Sequence, residues 1–137
     1  MTQITLNPYL MFAGSARDAM TFYQQVFGGE LAMQSYGEAA GMPVPDEHKD
    51  KIMHARLNAE AITLMASDGQ PGEAVTMGDN IHLAIGGADA ARLGAAFAAL
   101  AVGGVVTMPL AKQFWGDTFG MLTDRFGVHW MVNVDAA

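Results

Sequence analysis

One order of elements occurs twice along this chain, and that repetition constrains the fold more than any other feature. In the first half Ile4 to Phe12 reads as a strand and Ala13-Gly14-Ser15 as a turn, with Ser15 as an N-cap and Asp18 three residues on in the manner of a capping box. Ala19, Met20, Phe22, Tyr23, Val26 and Phe27 then recur at helical spacing until Gly28-Gly29, a pair suited to the positive φ that ends helices. Glu30 to Tyr36 reads as a strand, and Gly37 to Asp50 as a loop, because Pro43 and Pro45 interrupt any ladder or helix there. Ile52 to Asn58 and Ile62 to Ala66 are β-prone and close enough to pair as a hairpin turning at Ala59-Glu60.

The second half follows the same order. Ile81 to Ile85 reads as a strand, Asp89 as an N-cap, and Leu93, Ala96, Phe97 and Leu100 as the buried stripe of a helix stopped by Gly103-Gly104. Val105 to Leu110 and Phe119 to Thr123 are the next strands, and a turn over 124–127 leads into Val128 to Val134. Pro8 precedes Ser15 by the same interval as His82 precedes Asp89, so register repeats as well as order. One helix followed by three strands, twice, predicts an α+β fold of two βαβββ modules rather than a doubly wound parallel sheet. The first module is placed over 1–68, a linker over 69–79 and the second module over 80–137, as one domain.

Composition bounds what such a domain does. With 137 residues, 51% of them hydrophobic, there is material for one core and not for two separate domains. Seven basic residues against fourteen acidic ones give a formal charge of -7, which repels nucleic acid and anionic membrane surfaces alike. The absence of cysteine excludes disulfides, thiolate metal sites and a thiol nucleophile. No apolar run is long enough to span a bilayer and MTQITLNPYLMF is not a basic leader, so a cytoplasmic location is expected. No GxGxxG follows a strand and no Walker sequence occurs, so the glycine pairs are helix stops.

Three stretches, NPYLMFAGSARDAMTFYQQVFGGEL, the HARL segment that ends in LMASD, and PLAKQFWGDTFGMLTDRFGVHWMV, resemble the PhnB-like branch of the vicinal-oxygen-chelate (glyoxalase/bleomycin-resistance/dioxygenase) superfamily over almost the whole chain. The resemblance implies two modules whose strands form a curved, cup-like mixed sheet, with helices on the convex side and a ligand in the concavity. It also implies a homodimer, which unpaired strand edges independently favour. Some members carry a 3-demethylubiquinone-9 3-methyltransferase label, but this chain has no Gly-rich cofactor loop on a parallel sheet, and the label is not transferred to it.

In metal-dependent members four ligands line the cup, and the resemblance puts Pro8, Met65, His82 and Met131 at those positions. Proline has no side-chain donor and a thioether is a poor ligand for hard divalent ions, which leaves only His82. A catalytic ion needs about three protein ligands and an open position, so no cofactor is expected, a divalent metal being the alternative. A slip of one or two residues would bring in Thr63, His129 or Asn133, and still no carboxylate.

A hairpin turning at Ala59-Glu60 sets His54 opposite Met65 and Arg56 opposite Thr63, all on the cup face, where His82 and His129 join them. Arg56 in a buried cup needs an acidic partner or an anionic ligand, and a structural Asp or Glu is the expected one. Trp115 and Phe119 could close one end of the cup or pack in the core, while Trp130 alternates away from His129 and Met131 toward the helix. Asp68 and Asp124, at strand ends and turns, suit side-chain to backbone hydrogen bonds. The candidate ligand-binding residues are therefore His54, Arg56, Met65, His82, Trp115, Phe119, His129 and Met131. The leading functional expectation is a small-molecule-binding protein or metal-poor enzyme. A metal-dependent lyase, isomerase or dioxygenase using His82, His54 and His129 is the second. The third is a drug-sequestering protein whose acids Glu38, Asp46, Glu47 and Asp50 attract a cationic aromatic compound.

Overall fold

Alternation along the strands decides which side of each sheet is covered. The computed structural model describes residues 3–39, 41 and 43–137, and Ala40 and Met42 of the predicted loop lie outside them. Two compact units result, over Met1–Thr76 and Met77–Ala137. Each is a four-stranded mixed sheet with one long helix, an α+β arrangement.

In the first unit β1 (Tyr9–Met11), α1 (Ala16–Phe27), β2 (Glu30–Ser35), β3 (Ile52–Ala59) and β4 (Ile62–Ser67) give the strand order β1-β4-β3-β2, with β1 parallel to β4 and the rest antiparallel. Ala55, Leu57 and Ala59 of β3 and Leu64 and Ala66 of β4 are buried, as are Ala16, Ala19, Met20, Phe22 and Tyr23 of α1. Their common burial defines a helix-covered face, and period two sends His54, Arg56 and Asn58 to the opposite, open face.

The second unit repeats the plan with β5 (Leu83–Gly87), α2 (Ala90–Ala101), β6 (Val105–Lys112), β7 (Thr118–Thr123) and β8 (His129–Val134), in the order β5-β8-β7-β6. Its core joins Ala96, Phe97 and Leu100 of α2 to Leu122, Trp130, Val132 and Val134. Gly120 of β7 belongs to that face for want of space: a Cβ there would lie 2.8 Å from the Phe97 ring and 2.9 Å from the Leu110 backbone.

Several expectations from sequence are corrected. The first strand covers Tyr9–Met11 and not Ile4 to Phe12. Pro8 accepts from the Met65 N–H but has no N–H of its own to continue the ladder, and Ile4 and Leu6 beyond it are fully exposed. Ser15 makes no side-chain cap, and the N–H groups of Gly14 and Ala16 donate instead to Asp68 Oδ1, each at 2.9 Å. Asp89 does cap α2, accepting from the Arg92 N–H at 3.1 Å. The predicted loop over 37–50 contains two short 3-10 turns, Tyr36–Glu38 and Asp46–His48. The strand read over Ile81 to Ile85 is Leu83–Gly87, in step with Trp130 to Val134 of β8, so His82 sits just ahead of it.

The hairpin joining β3 and β4 turns at Glu60-Ala61, one residue later than predicted, with Glu60 in the left-handed region at φ 54°. Moving a turn by one residue shifts every pairing by two. Arg56 therefore faces Met65 and Asn58 faces Thr63, where Arg56 against Thr63 and His54 against Met65 were expected. A shift of two leaves each side chain on its original face.

Candidate functional site

Each unit presents its chemistry on the sheet face away from its helix. In the first unit register aligns Tyr9, Met65 and Arg56 across β1, β4 and β3. His54, two residues before Arg56, is reached by the Tyr9 phenol, whose oxygen lies 2.9 Å from Nδ1. Burial, and then the neighbouring Tyr36 phenol, raise the Tyr9 pKa above its ordinary value, so its hydroxyl stays protonated at neutral pH and can donate. Tyr9 was not foreseen as a site residue, because its place depends on the parallel pairing of β1 with β4, far apart in sequence.

Arg56 departs from expectation. It is exposed, and its Nε donates to Asn58 Oδ1 at 3.3 Å, so its partner is an amide and not the structural Asp or Glu predicted for it. The same Asn58 oxygen accepts from the Thr63 hydroxyl at 3.3 Å. Asn58 thus holds the inner end of the guanidinium, while the terminal nitrogens have no hydrogen-bond partner among the described residues.

In the second unit Leu122 and Trp130 face the helix, which puts Phe119, Met121 and Thr123 of β7 and His129, Met131 and Asn133 of β8 on the open face. The His82 and His129 rings stack with centroids 5.0 Å apart. His129 has both nitrogens engaged, Nδ1 with the Thr123 hydroxyl at 2.7 Å and Nε2 with the Gly78 carbonyl at 2.8 Å. A carbonyl only accepts, so Nε2 carries a proton and neutral His129 accepts at Nδ1. His82 is the opposite case: its Nδ1 is buried without a hydrogen-bond partner among the described residues. Trp115 is half exposed and lies edge-on to Phe119 at 6.0 Å and to Phe114 at 4.9 Å. The candidate residues thus form two groups: His54, Arg56 and Met65 in the first unit, and His82, Trp115, Phe119, His129 and Met131 in the second.

Asp68 and Asp124 are structural, as their positions in the sequence suggested. Both are buried, and each accepts three N–H groups: Gly14, Ala16 and Ile52 at Asp68, and the Phe126 and Val128 backbones and the Trp130 indole at Asp124.

Comparison with known proteins gives the family and the fold. A family model described as 3-demethylubiquinone-9 3-methyltransferase matches residues 4–133. The solved structure of protein PA1353 from Pseudomonas aeruginosa is 43% identical, with a TM-score of 0.88 over 98% of this chain and 100% of that one. The PhnB protein from Bacillus cereus is 24% identical, with a TM-score of 0.78 over 96% of this chain and 100% of that one. At the level of fold alone, the fosfomycin resistance protein FosX from Listeria monocytogenes, solved with Mn(II) and 1S,2S-dihydroxypropylphosphonic acid, is 12% identical with a TM-score of 0.66, covering 99% of this chain and 95% of that one.

Proposed function

The chain belongs to the 3-demethylubiquinone-9 3-methyltransferase family and shares its fold with the PhnB and FosX structures, and from that premise we propose that it is a PhnB-like member of the vicinal-oxygen-chelate superfamily that binds a small organic molecule on its open sheet faces without a hard divalent metal. The observation that carries this reading is the Tyr9, His54 and Arg56 constellation. Arg56 is braced by Asn58, and His54 is oriented by Tyr9, while among the described residues nothing bonds the terminal guanidinium nitrogens. A braced planar donor set of this kind suits a carboxylate or another polar oxygen on a ligand. The methyltransferase label in the family description is not adopted, since no G-x-G-x-x-G follows a strand and both four-stranded sheets are mixed rather than doubly wound parallel ones. A thermal-shift screen of metabolites tests the proposal. A ligand that raises the Tm of the wild type should raise it much less in Arg56→Ala and His54→Ala. Equal shifts in all three proteins would remove these residues from the site.

The residues do not fit the metal that the superfamily implies. Pro8 offers no side-chain donor and its carbonyl already accepts from Met65, while Met65 and Met131 offer thioethers. Among the described residues no group of three or more His, Cys, Asp or Glu side chains could hold an ion. Elemental analysis after chelator-free purification should therefore give well under one Zn, Fe, Mn or Ni per chain. About one tightly held ion per chain, lost on His82→Ala, would overturn this reading.

A further inference from the structure

Charge on the open face of the first sheet is sparse. Among the residues of β1 to β4 the only permanent cation is Arg56 and the only carboxylate is Glu30. Glu30 on β2 is directly opposite Asn58, and Ala32 directly opposite Arg56, so both share the face that carries His54, Arg56 and Asn58. Glu30 is thus one diagonal from Arg56, a separation of about 7–8 Å. Among the described residues no ion pair joins the two.

What directly flanks Arg56 is small or apolar. Ala32 stands on the β2 side and Met65 on the β4 side, and the row runs on from Met65 to Tyr9. Met11, two residues along β1 from Tyr9, is 39% exposed. These soft side chains can follow the contour of an apolar ligand.

The polar groups beside them are donors. Asn58 Oδ1 holds Arg56 Nε at 3.3 Å and is itself held by the Thr63 hydroxyl, so the guanidinium presents its terminal nitrogens as a fork. With the Tyr9 hydroxyl donating to Nδ1, neutral His54 carries its proton on Nε2, which adds one more donor. One guanidinium compensates one negative charge. A second charge on the ligand would stay uncompensated beside Glu30, and an uncompensated charge taken out of water is costly. A neutral amide of the same shape would forgo the charge-assisted bonds.

We propose that this face selects a monoanionic carboxylate carried on an apolar body. The carboxylate lies on Arg56 and His54, the body lies over Met65 and Met11, and Glu30 is the residue that disfavours dianions. The inference rests on the reading that Arg56 and His54 bind a small molecule, and adds the charge and shape of what they bind.

Hexanoate, hexanamide and hexyl phosphate test it, since they share one alkyl body and carry one negative charge, none and, at about pH 8, nearly two. Each is titrated into the full chain at low ionic strength and followed by the histidine and methionine-methyl NMR signals. Hexanoate should move His54 and Met65, and the other two should bind at least about 10-fold more weakly, the loss of one charge-assisted hydrogen bond. Arg56→Gln, at an exposed position, should reduce hexanoate to the affinity of hexanamide. Glu30→Gln should narrow the gap between hexanoate and hexyl phosphate by about 2–5-fold, the size of a partly exposed charge interaction. Hexanamide or hexyl phosphate binding as tightly as hexanoate, with shifts at His54 and Met65 that Arg56→Gln removes, overturns the selection and leaves the binding site standing. A gap that Glu30→Gln leaves unchanged overturns the part given to Glu30. Hexanoate that moves neither His54 nor Met65 overturns the proposal, and if all three probes move only signals elsewhere the site falls with it.

Discussion

Replacing Asp68 with alanine should remove about 3–5 kcal/mol of stability, a large part of the roughly 5–15 kcal/mol that holds a domain folded. The side chain is 5% exposed, and its two oxygens gather three parts of the first unit. Oδ1 accepts from Gly14 and Ala16 at the start of α1, and Oδ2 accepts from Ile52 at the start of β3 at 2.8 Å. Asp68 itself follows directly on β4, its N–H donating to the Ile52 carbonyl. Alanine leaves all three donors without this partner, and a buried unsatisfied donor costs about 1–3 kcal/mol. Gly14 is exposed and can turn to water, which keeps the sum below the upper limit. Asp68→Asn retains one acceptor oxygen and should lose about 1–3 kcal/mol. Urea denaturation reads both, as a lower midpoint with the slope preserved. An Asp68→Ala midpoint within about 0.5 kcal/mol of the wild type would mean that the carboxylate does not hold these elements together.

Asp68 also marks where the sequence stops being legible. The duplicated order of one helix and three strands could be read because each element declares itself locally, in apolar spacing and in glycine pairs such as Gly28-Gly29. Asp89 caps α2 from the adjacent position and was equally readable. The start of α1 looked the same, with Ser15 in the capping position, yet its N–H groups are satisfied by a residue 52 positions away from Ala16, and no local pattern reports that. The short β1 has a local cause in Pro8, whose effect needed the parallel partner to become visible.

Faces proved more robust than partners. The β3–β4 turn was misplaced by one residue, yet His54, Arg56 and Met65 stayed on one face, because pairing shifts in steps of two. The partners did change, and with them the environment of Arg56: an exposed guanidinium held by Asn58 replaces the buried one that would have required an acid. The bulge in β6, where the register against β7 passes from Val106 opposite Leu122 to Met108 opposite Met121 and skips Thr107, left no trace in the sequence, since nothing in VVTMPL says which residue will be skipped.

The same alternation predicts that neighbouring residues on β8 respond to truncation in opposite ways. Trp130 is 1% exposed on the helix-covered face, level with Leu83 on β5 and Leu122 on β7. Its indole N–H donates to Asp124 Oδ2 at 2.9 Å, and Asp124 also fixes the turn before β8 by accepting from Phe126 and Val128. Trp130→Ala should therefore cost roughly 3–5 kcal/mol as a core truncation. Trp130→Phe keeps most of the volume but not the donor, and should cost about 1.5–3 kcal/mol, the range for hydrogen bonds to charged groups. His129, one residue earlier, points to the open face and bonds to Thr123 and Gly78, while His54 bonds to Tyr9 in the first unit. His129→Ala and His54→Ala should each cost no more than about 1.5 kcal/mol, and His54→Ala should in addition weaken any ligand that the thermal-shift screen finds. Chemical denaturation of the four variants side by side gives the comparison. A neutral Trp130→Ala beside an unfolded His54→Ala would reverse the two faces, and the binding residues assigned to the open side would fall with them.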